Sequence, residues 1–203
     1  MAHKSTHAQR TDAPDAQDVL TFWVDQAGPG MWYKSDAGLD ADIRDMFGPL
    51  WEATRQTGHT GWTPTPKSAL ATVILFDQFP RNMFRGDARA FASDKIARAK
   101  AKHAVDLDWD LRIEGPARQF FYLPLMHSEC LVDQERCVRL FKERMQDAGD
   151  NFVHAKAHRE VIRRFGRFPH RNEDLGRTTR KAETEFLEEG GYGAVVNSFR
   201  AAV

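Results

Sequence analysis

"TPTPKSALATVILFDQFP", residues 63–80, decides the fold. Pro66 stands where a first helical turn tolerates proline, and between Ala69 and Phe76 only Thr72 is polar. A helix that is apolar on every side belongs at the centre of a larger body, wrapped by other helices. Asp77 is then an anomaly, because it follows Val73 by one turn on a helix with no wet face. An unpaired carboxylate there costs several kcal/mol, so a partner is required. The nearest cation in sequence is Arg81, just past the point where Pro80 is expected to end the helix.

The flanking segments carry helical periodicity and no sustained period-two alternation. A first helix is predicted from Pro14 to Ala27, stopped by Gly28, with Val19, Phe22 and Trp23 inward. A second is capped by Asp36 or Asp40 and ends near Gly58. Its stripe is Ile43, Met46, Phe47, Leu50 and Trp51. "GDARAFASDKIARAKAKHAVD", residues 86–106, reads as an amphipathic helix through Phe91, Ile96 and Ala99. Pro116 opens a short aromatic helix interrupted by Pro124. Ser128 caps the next, whose stripe is Leu131, Val138, Phe141 and Met145. Another starts at Asp150 or Asn151, turns Phe152, Val161, Ile162 and Phe165 inward and ends before Pro169. A last helix covers Thr178 to Glu189, and "EGGYGAVVNSF" trails off. Residues 1–13 form a polar tail without the apolar stretch of a secretory signal. The expectation is one all-α domain over residues 14–203, built from about seven or eight antiparallel helices with short loops.

Bulk properties exclude several functions. The chain carries 29 basic and 29 acidic side chains, so no global positive field exists to hold nucleic acid. No apolar run approaches the ~20 residues of a membrane span. On a helix, Cys130 and Cys137 stand about 10.5 Å apart along the axis. They cannot pair with each other, and free, buried thiols suit a reducing cytoplasm.

Two stretches share a pattern. "FDQFPRNMFRG", residues 76–86, and "RRFGRFPHRN", residues 163–172, each contain Phe-x-x-Phe-Pro followed by a basic residue and an Asn. If proline stops each helix, Arg81, Asn82 and Arg85 at one tip can meet His170, Arg171 and Asn172 at the other. Arg164, Arg167 and Arg171 share a helical face with Glu160, while Arg163 points to solvent. Either this is a solvated basic face with an internal Glu160–Arg164 pair, or it is an anion site using the arginine fork. His127 and Glu129 follow the aromatic helix. His154 and His158 have a spacing that can hold a metal, and Glu129 or Asp77 could supply a third ligand, but no Cys or His pair elsewhere completes a set, so no metal and no cofactor is expected. His158 shares the inward face with Phe165 and is expected in a pocket. Phosphate-loop and nucleophile-elbow motifs are absent from the sequence.

"LFDQFPRNMFRGDARAFASD", "FFYLPLMHSE" and "HREVIRRFGRFPHRNEDLGR" resemble the signature blocks of a bacterial family, the domain of unknown function 924, over roughly residues 18–190. The resemblance implies a tetratricopeptide-like superhelical fold, although the usual tetratricopeptide consensus is missing. It brings no activity with it. It marks Asp77, Gln78, Arg81, Asn82, Arg85, His127, Ser128, Glu129, His158, Arg164, Arg167, His170, Arg171 and Asn172 as motif positions. Two readings follow. In one, arginines bind a small anion and His158 or His170 moves a proton, with Asp77 or Glu129 fixing the imidazole. In the other, the polar cluster is purely structural and the chain is a non-enzymatic scaffold for a protein or peptide partner.

Overall fold

The computed structural model describes residues 13–146 and 149–201. The polar tail expected over residues 1–13 therefore lies, apart from Ala13, outside the described residues. Among the described residues all regular structure is helical, as expected, in ten α-helical segments joined by π- and 3-10 turns. The count exceeds the expectation because a π-turn divides the central helix into two segments and because residues 191–201 form a helix that was not expected.

The central helix runs through α3 (Pro66–Val73), a π-turn (Ile74–Gln78) and α4 (Phe79–Met83). It starts where Thr65 and Ser68 form a capping box around Pro66. Leu70, Ala71, Val73, Ile74, Leu75, Phe76 and Phe79 lose essentially all contact with solvent. Pro80 does not stop this helix, contrary to the sequence reading. A proline normally clashes with the carbonyl four residues back and leaves it unbonded. Here the π-turn shifts the Phe79 N–H onto the Ile74 carbonyl. The Phe76 carbonyl accepts instead from Ser93 Oγ at 2.7 Å, and that hydroxyl accepts from Trp51 Nε1 at 2.9 Å. The proline is absorbed, and the chain continues helically to Met83.

Two elements pack their aromatic faces on this axis. α1 (Ala16–Leu20), capped by Asp15, continues in a π-turn (Thr21–Ala27) and buries Val19, Phe22 and Trp23. α2 (Ala37–Thr54), capped by Asp36, buries Ile43, Phe47 and Trp51, and ends one turn before Gly58. Met46 and Leu50 lie at the core's edge. The Phe79 ring is 4.7 Å from Phe47 and 5.7 Å from Trp23.

α5 (Asp94–Asp106) turns a different face inward from the one expected. Ala97, Ala101 and Ala104 are buried, because small side chains let this helix approach the central one closely. Ala99 is exposed, and Phe91 belongs to a separate 3-10 turn (Ala88–Phe91). The aromatic segment is a 3-10 helix (Pro116–Phe121) followed by α6 (Leu123–Met126). α7 (Leu131–Arg144) buries Cys137, Leu140 and Phe141 and leaves Leu131 exposed, which corrects its predicted stripe. Ser128 does not cap it. The hydroxyl donates to Asp133 at 2.8 Å and accepts the Cys130 N–H at 3.2 Å. Both cysteines are free, but only Cys137 is buried; Cys130 is exposed.

α8 (Asp150–Phe165) packs on α7 with one side and on α10 with the other. Its Ala155 joins the main core. Ala157, Val161 and Ile162 form a second apolar cluster with Phe168, Phe186, Val195 and Val196. α9 (Lys181–Glu188) and α10 (Gly191–Ala201) complete that cluster, so the segment read as trailing off is a helix. α8 ends at Phe165, before Pro169 as expected, but what caps it is Gly166, whose φ of 70° is the left-handed cap geometry.

Ser93 links the carbonyl freed by Pro80 to the Trp51 indole in a fully buried place. Ser93→Ala strands both groups, and urea unfolding is expected to show a loss of about 1–3 kcal/mol. An unchanged midpoint would mean that the proline is accommodated some other way.

Candidate functional site

Asp77 is fully buried and has more partners than its own helix provides. Gln78 Nε2 donates to Oδ2. Arg81 Nη1 lies 3.3 Å from Oδ1 and bonds the Asp77 carbonyl at 2.7 Å. The third partner, His127, comes from the end of α6, with Nδ1 2.9 Å from Oδ1. Burial pushes the Asp77 carboxyl up, but Arg81, His127 and Gln78 together outweigh it and hold it at about 2. Such a carboxylate only accepts, so Nδ1 of His127 carries the proton. Nε2 is left as a free lone pair, with no protein partner among the described residues. Burial and then Arg81 lower the His127 pKa, so the ring is neutral near pH 7 and Asp77 is ionised.

Arg81 also grips Asp94 with both nitrogens, at 2.8 and 2.9 Å. Asp94 is shared with Arg171, whose Nη1 stands 3.7 Å away and donates to the His127 carbonyl at 3.1 Å. Phe91 and Phe168 cover the Arg171 guanidinium at 4.8 and 4.4 Å. Arg171 is 6% exposed, and among the described residues its Nε has no hydrogen-bond partner. Burial, then the nearby Arg81, lowers its pKa to about 10. The two tips of the repeated Phe-x-x-Phe-Pro pattern do meet, although neither proline ends its helix.

A second imidazole faces the first. His158 is 6.4 Å from His127 between ring centroids. Its Nδ1 is 2.9 Å from the His154 carbonyl and therefore carries the proton. Tyr192 OH lies 3.0 Å from the same nitrogen and 2.5 Å from Nδ1 of His154. The His154–His158 pair is thus tied to a tyrosine; among the described residues no cluster of three His, Cys, Asp or Glu is placed to hold a metal ion. Burial first, then His127, pushes the His158 pKa well below its ordinary value.

Three hollows meet at His127. The largest, about 420 Å³, is walled by Tyr33, Leu123, Met126, Asn151, His158 and Tyr192. A recess of about 250 Å³ is lined by Arg81, Arg85, Phe91, His170, Arg171 and Asp174, and shares both His127 and His158 with the first. A third, about 200 Å³, runs past Gln78, Asn82 and Arg85.

The remaining predicted residues divide. Arg85 borders the recess but is committed to Asp40, at 2.6 and 2.9 Å, and to Asn82 Oδ1 at 2.7 Å. Asn82 Nδ2 donates to the Gln78 carbonyl. His170 lines the recess beside Arg171. Four others are occupied elsewhere. Glu129 is held by Arg177 at 2.8 and 2.9 Å and accepts the Phe168 N–H. Arg167 holds Glu183 with two bonds of 2.7 Å, and Asn172 bonds the same carboxylate. Arg164 pairs with Glu160 at 2.6 Å on the surface, the pair read from the sequence. Arg163 points to solvent as expected, and it also grips Glu160. Because α8 ends at Phe165, Arg164, Arg167 and Arg171 do not share a helical face. The imidazole that a carboxylate fixes is His127, where the sequence reading had named His158 or His170. Asp94, Tyr33, Phe91 and Tyr192 were missed as site residues; Phe91 and Asp94 lie in a segment read only as an amphipathic helix and Tyr192 in one read as trailing off, and nothing local marks their role.

The profile of a family described as a bacterial protein of unknown function (DUF924) matches residues 19–191. The chain belongs to this family. A solved structure of a protein of unknown function from Agrobacterium tumefaciens, ATU0120, is 40% identical to it with a TM-score of 0.79. The likeness covers 86% of this chain and 97% of that one. No match was found among curated proteins.

Folded-state pKa values depressed in His127 and His158 have a definite consequence. Below the ordinary imidazole value of ~6.5 the unfolded chain binds protons that the folded chain refuses, so stability falls as pH drops through that value. Asp77, held at about 2, withdraws its own contribution only below ~3.9. Urea midpoints are expected to fall between pH 7.5 and pH 5, and to fall less in His158→Gln. An equal drop in the variant would remove His158 from the account.

Proposed function

We propose that the hollows around His127 form a binding site for a small anionic molecule, with His127 as the base that takes a proton from it. The observation that carries this is the junction: one imidazole, oriented by Asp77, borders all three hollows with its Nε2 unoccupied. A carboxylate behind an imidazole fixes the tautomer and stabilises the cation formed when the ring accepts a proton. The anion-binding half is supported by Arg171, a buried guanidinium whose fork is incompletely used. A bound anion would offset the desolvation that lowers its pKa. Two unpaired thiols fit a reducing compartment such as the cytoplasm.

The scaffold reading draws support from the other arginine group. Arg177 holds Glu129, which ties the loop before α9 to the segment between α6 and α7, and Arg167 and Asn172 hold Glu183, which ties α9 to the segment after α8. On that reading the tetratricopeptide-like arrangement presents a surface to a protein partner.

Thermal denaturation with acetate, hexanoate, malonate, phosphate and sulfate separates the two. A ligand at about 100 times its Kd raises Tm by roughly 5–10 °C in a chain of this size. At least one of these anions is expected to do so with wild type, and His127→Gln and Arg171→Met are each expected to abolish the shift. Shifts equal in all three proteins, or none with any probe, would favour the scaffold.

A further inference from the structure

We infer that the ligand is a monocarboxylate with an apolar or aromatic body. Its head group lies against Arg171 in the smaller recess, and its body passes the two imidazoles into the larger cavity. The inference rests on the site proposed above and narrows the class of molecule it takes.

The head group follows from what is already spent. Arg81 holds Asp94 and Asp77, and Arg85 holds Asp40 and Asn82. The three guanidiniums of Arg81, Arg85 and Arg171 are matched by the three carboxylates of Asp40, Asp77 and Asp94. With the charges already balanced and Asp174 adding a further carboxylate to the recess wall, each negative charge on a ligand meets repulsion, and a dianion meets more of it than a monoanion. Among the described residues no hydrogen bond is made by Nη2 of Arg171, and His170 lines the same recess. A phosphate monoester, with two charges and three terminal oxygens, would be left short of donors. A carboxylate carries one charge in one plane.

Shape points the same way. The Phe91 and Phe168 rings pack on the Arg171 guanidinium at 4.8 and 4.4 Å, which favours approach of a ligand to its edge. An edge presents parallel N–H groups in a plane, the geometry that a planar carboxylate meets with two hydrogen bonds.

The body follows from the second cavity. At about 420 Å³ it has room for a small molecule, and Leu123, Met126, Tyr33 and Tyr192 supply its apolar and aromatic walls. The recess and the cavity join at His127 and His158, which border both. A ligand spanning the two would set the atoms next to its carboxylate against those imidazoles. The proton that His127 takes is then one carried close to the carboxylate.

Binding constants by calorimetry for acetate, hexanoate, 3-phenylpropionate, hexanamide, hexyl phosphate and inorganic phosphate test this. Affinity is expected to rise from acetate to hexanoate by up to about fourfold per methylene buried. Hexanamide and hexyl phosphate are each expected to bind at least ~10-fold more weakly than hexanoate, the step expected when a charge-assisted pair is lost or mismatched. Arg171→Met is expected to abolish hexanoate binding. Arg171→Lys, which keeps the charge and loses the fork, is expected to retain only a weak remnant. Nuclear Overhauser contacts between the phenyl protons of 3-phenylpropionate and the Met126 methyl group should appear in wild type without any substitution. Phosphates binding as well as carboxylates would overturn the head-group assignment and leave the anion site standing. A flat chain-length series without contacts to Met126 would overturn the assignment of the body. Failure of every probe to bind in an Arg171-dependent way would overturn the site itself, and this inference with it.

Discussion

A carboxylate buried at the middle of an apolar helix governs this molecule. Asp77 is ionised where a lone charge would cost several kcal/mol, so the fold must bring it partners. Arg81 comes from the same helix, His127 from the end of α6, and Asp94 joins through Arg81 from the start of α5. Arg171 then closes on Asp94 and on the His127 backbone from beyond α8. Four separate stretches of chain are thereby drawn to one point by electrostatics that the surrounding low dielectric makes strong. The hydrophobic core supplies most of the folding energy, but this cluster fixes which helix ends meet.

The π-turn makes that meeting possible. An ordinary α-helix reaching Pro80 would lose a bond and bend away, taking Arg81 off the face that holds Asp77. Widening one turn gives Phe79 a carbonyl five residues back and hands the Phe76 carbonyl to Ser93. π-turns commonly accompany functional sites, and this one contains the buried acid itself.

Much of this was legible in the chain. The apolar run over residues 69–76 required a central helix, and the same run made a partner for Asp77 obligatory. Glu160 with Arg164 is a local spacing, and it was found as read. Roles set by distant segments were hidden. Arg163, Arg164, Arg167 and Arg171 look alike in sequence. Glu160 takes two of them, Glu183 takes the third, and the fourth meets Asp94 and two phenylalanine rings. Gly166 makes that division by turning the chain before Arg167. The inner face of α5 was misread for a related reason: its pattern favoured Phe91 and Ile96, whereas close approach to the central helix selects alanine.

Burial also sets what the cluster can do chemically. Removing water from around His127 and His158, with guanidiniums close by, disfavours the imidazolium; bonding to Arg81 and His127 favours the Asp77 carboxylate. The same environment therefore drives the acid's pKa down and keeps the imidazoles unprotonated. Such separation leaves a proton acceptor available at pH values where a free histidine is already charged. Because Asp77 holds the proton-bearing Nδ1 of the His127 ring, the accepting nitrogen is Nε2, on the ring edge away from Asp77, in a residue that lines the hollows. The group that solves the packing problem of the central helix is thus the group that orients the base.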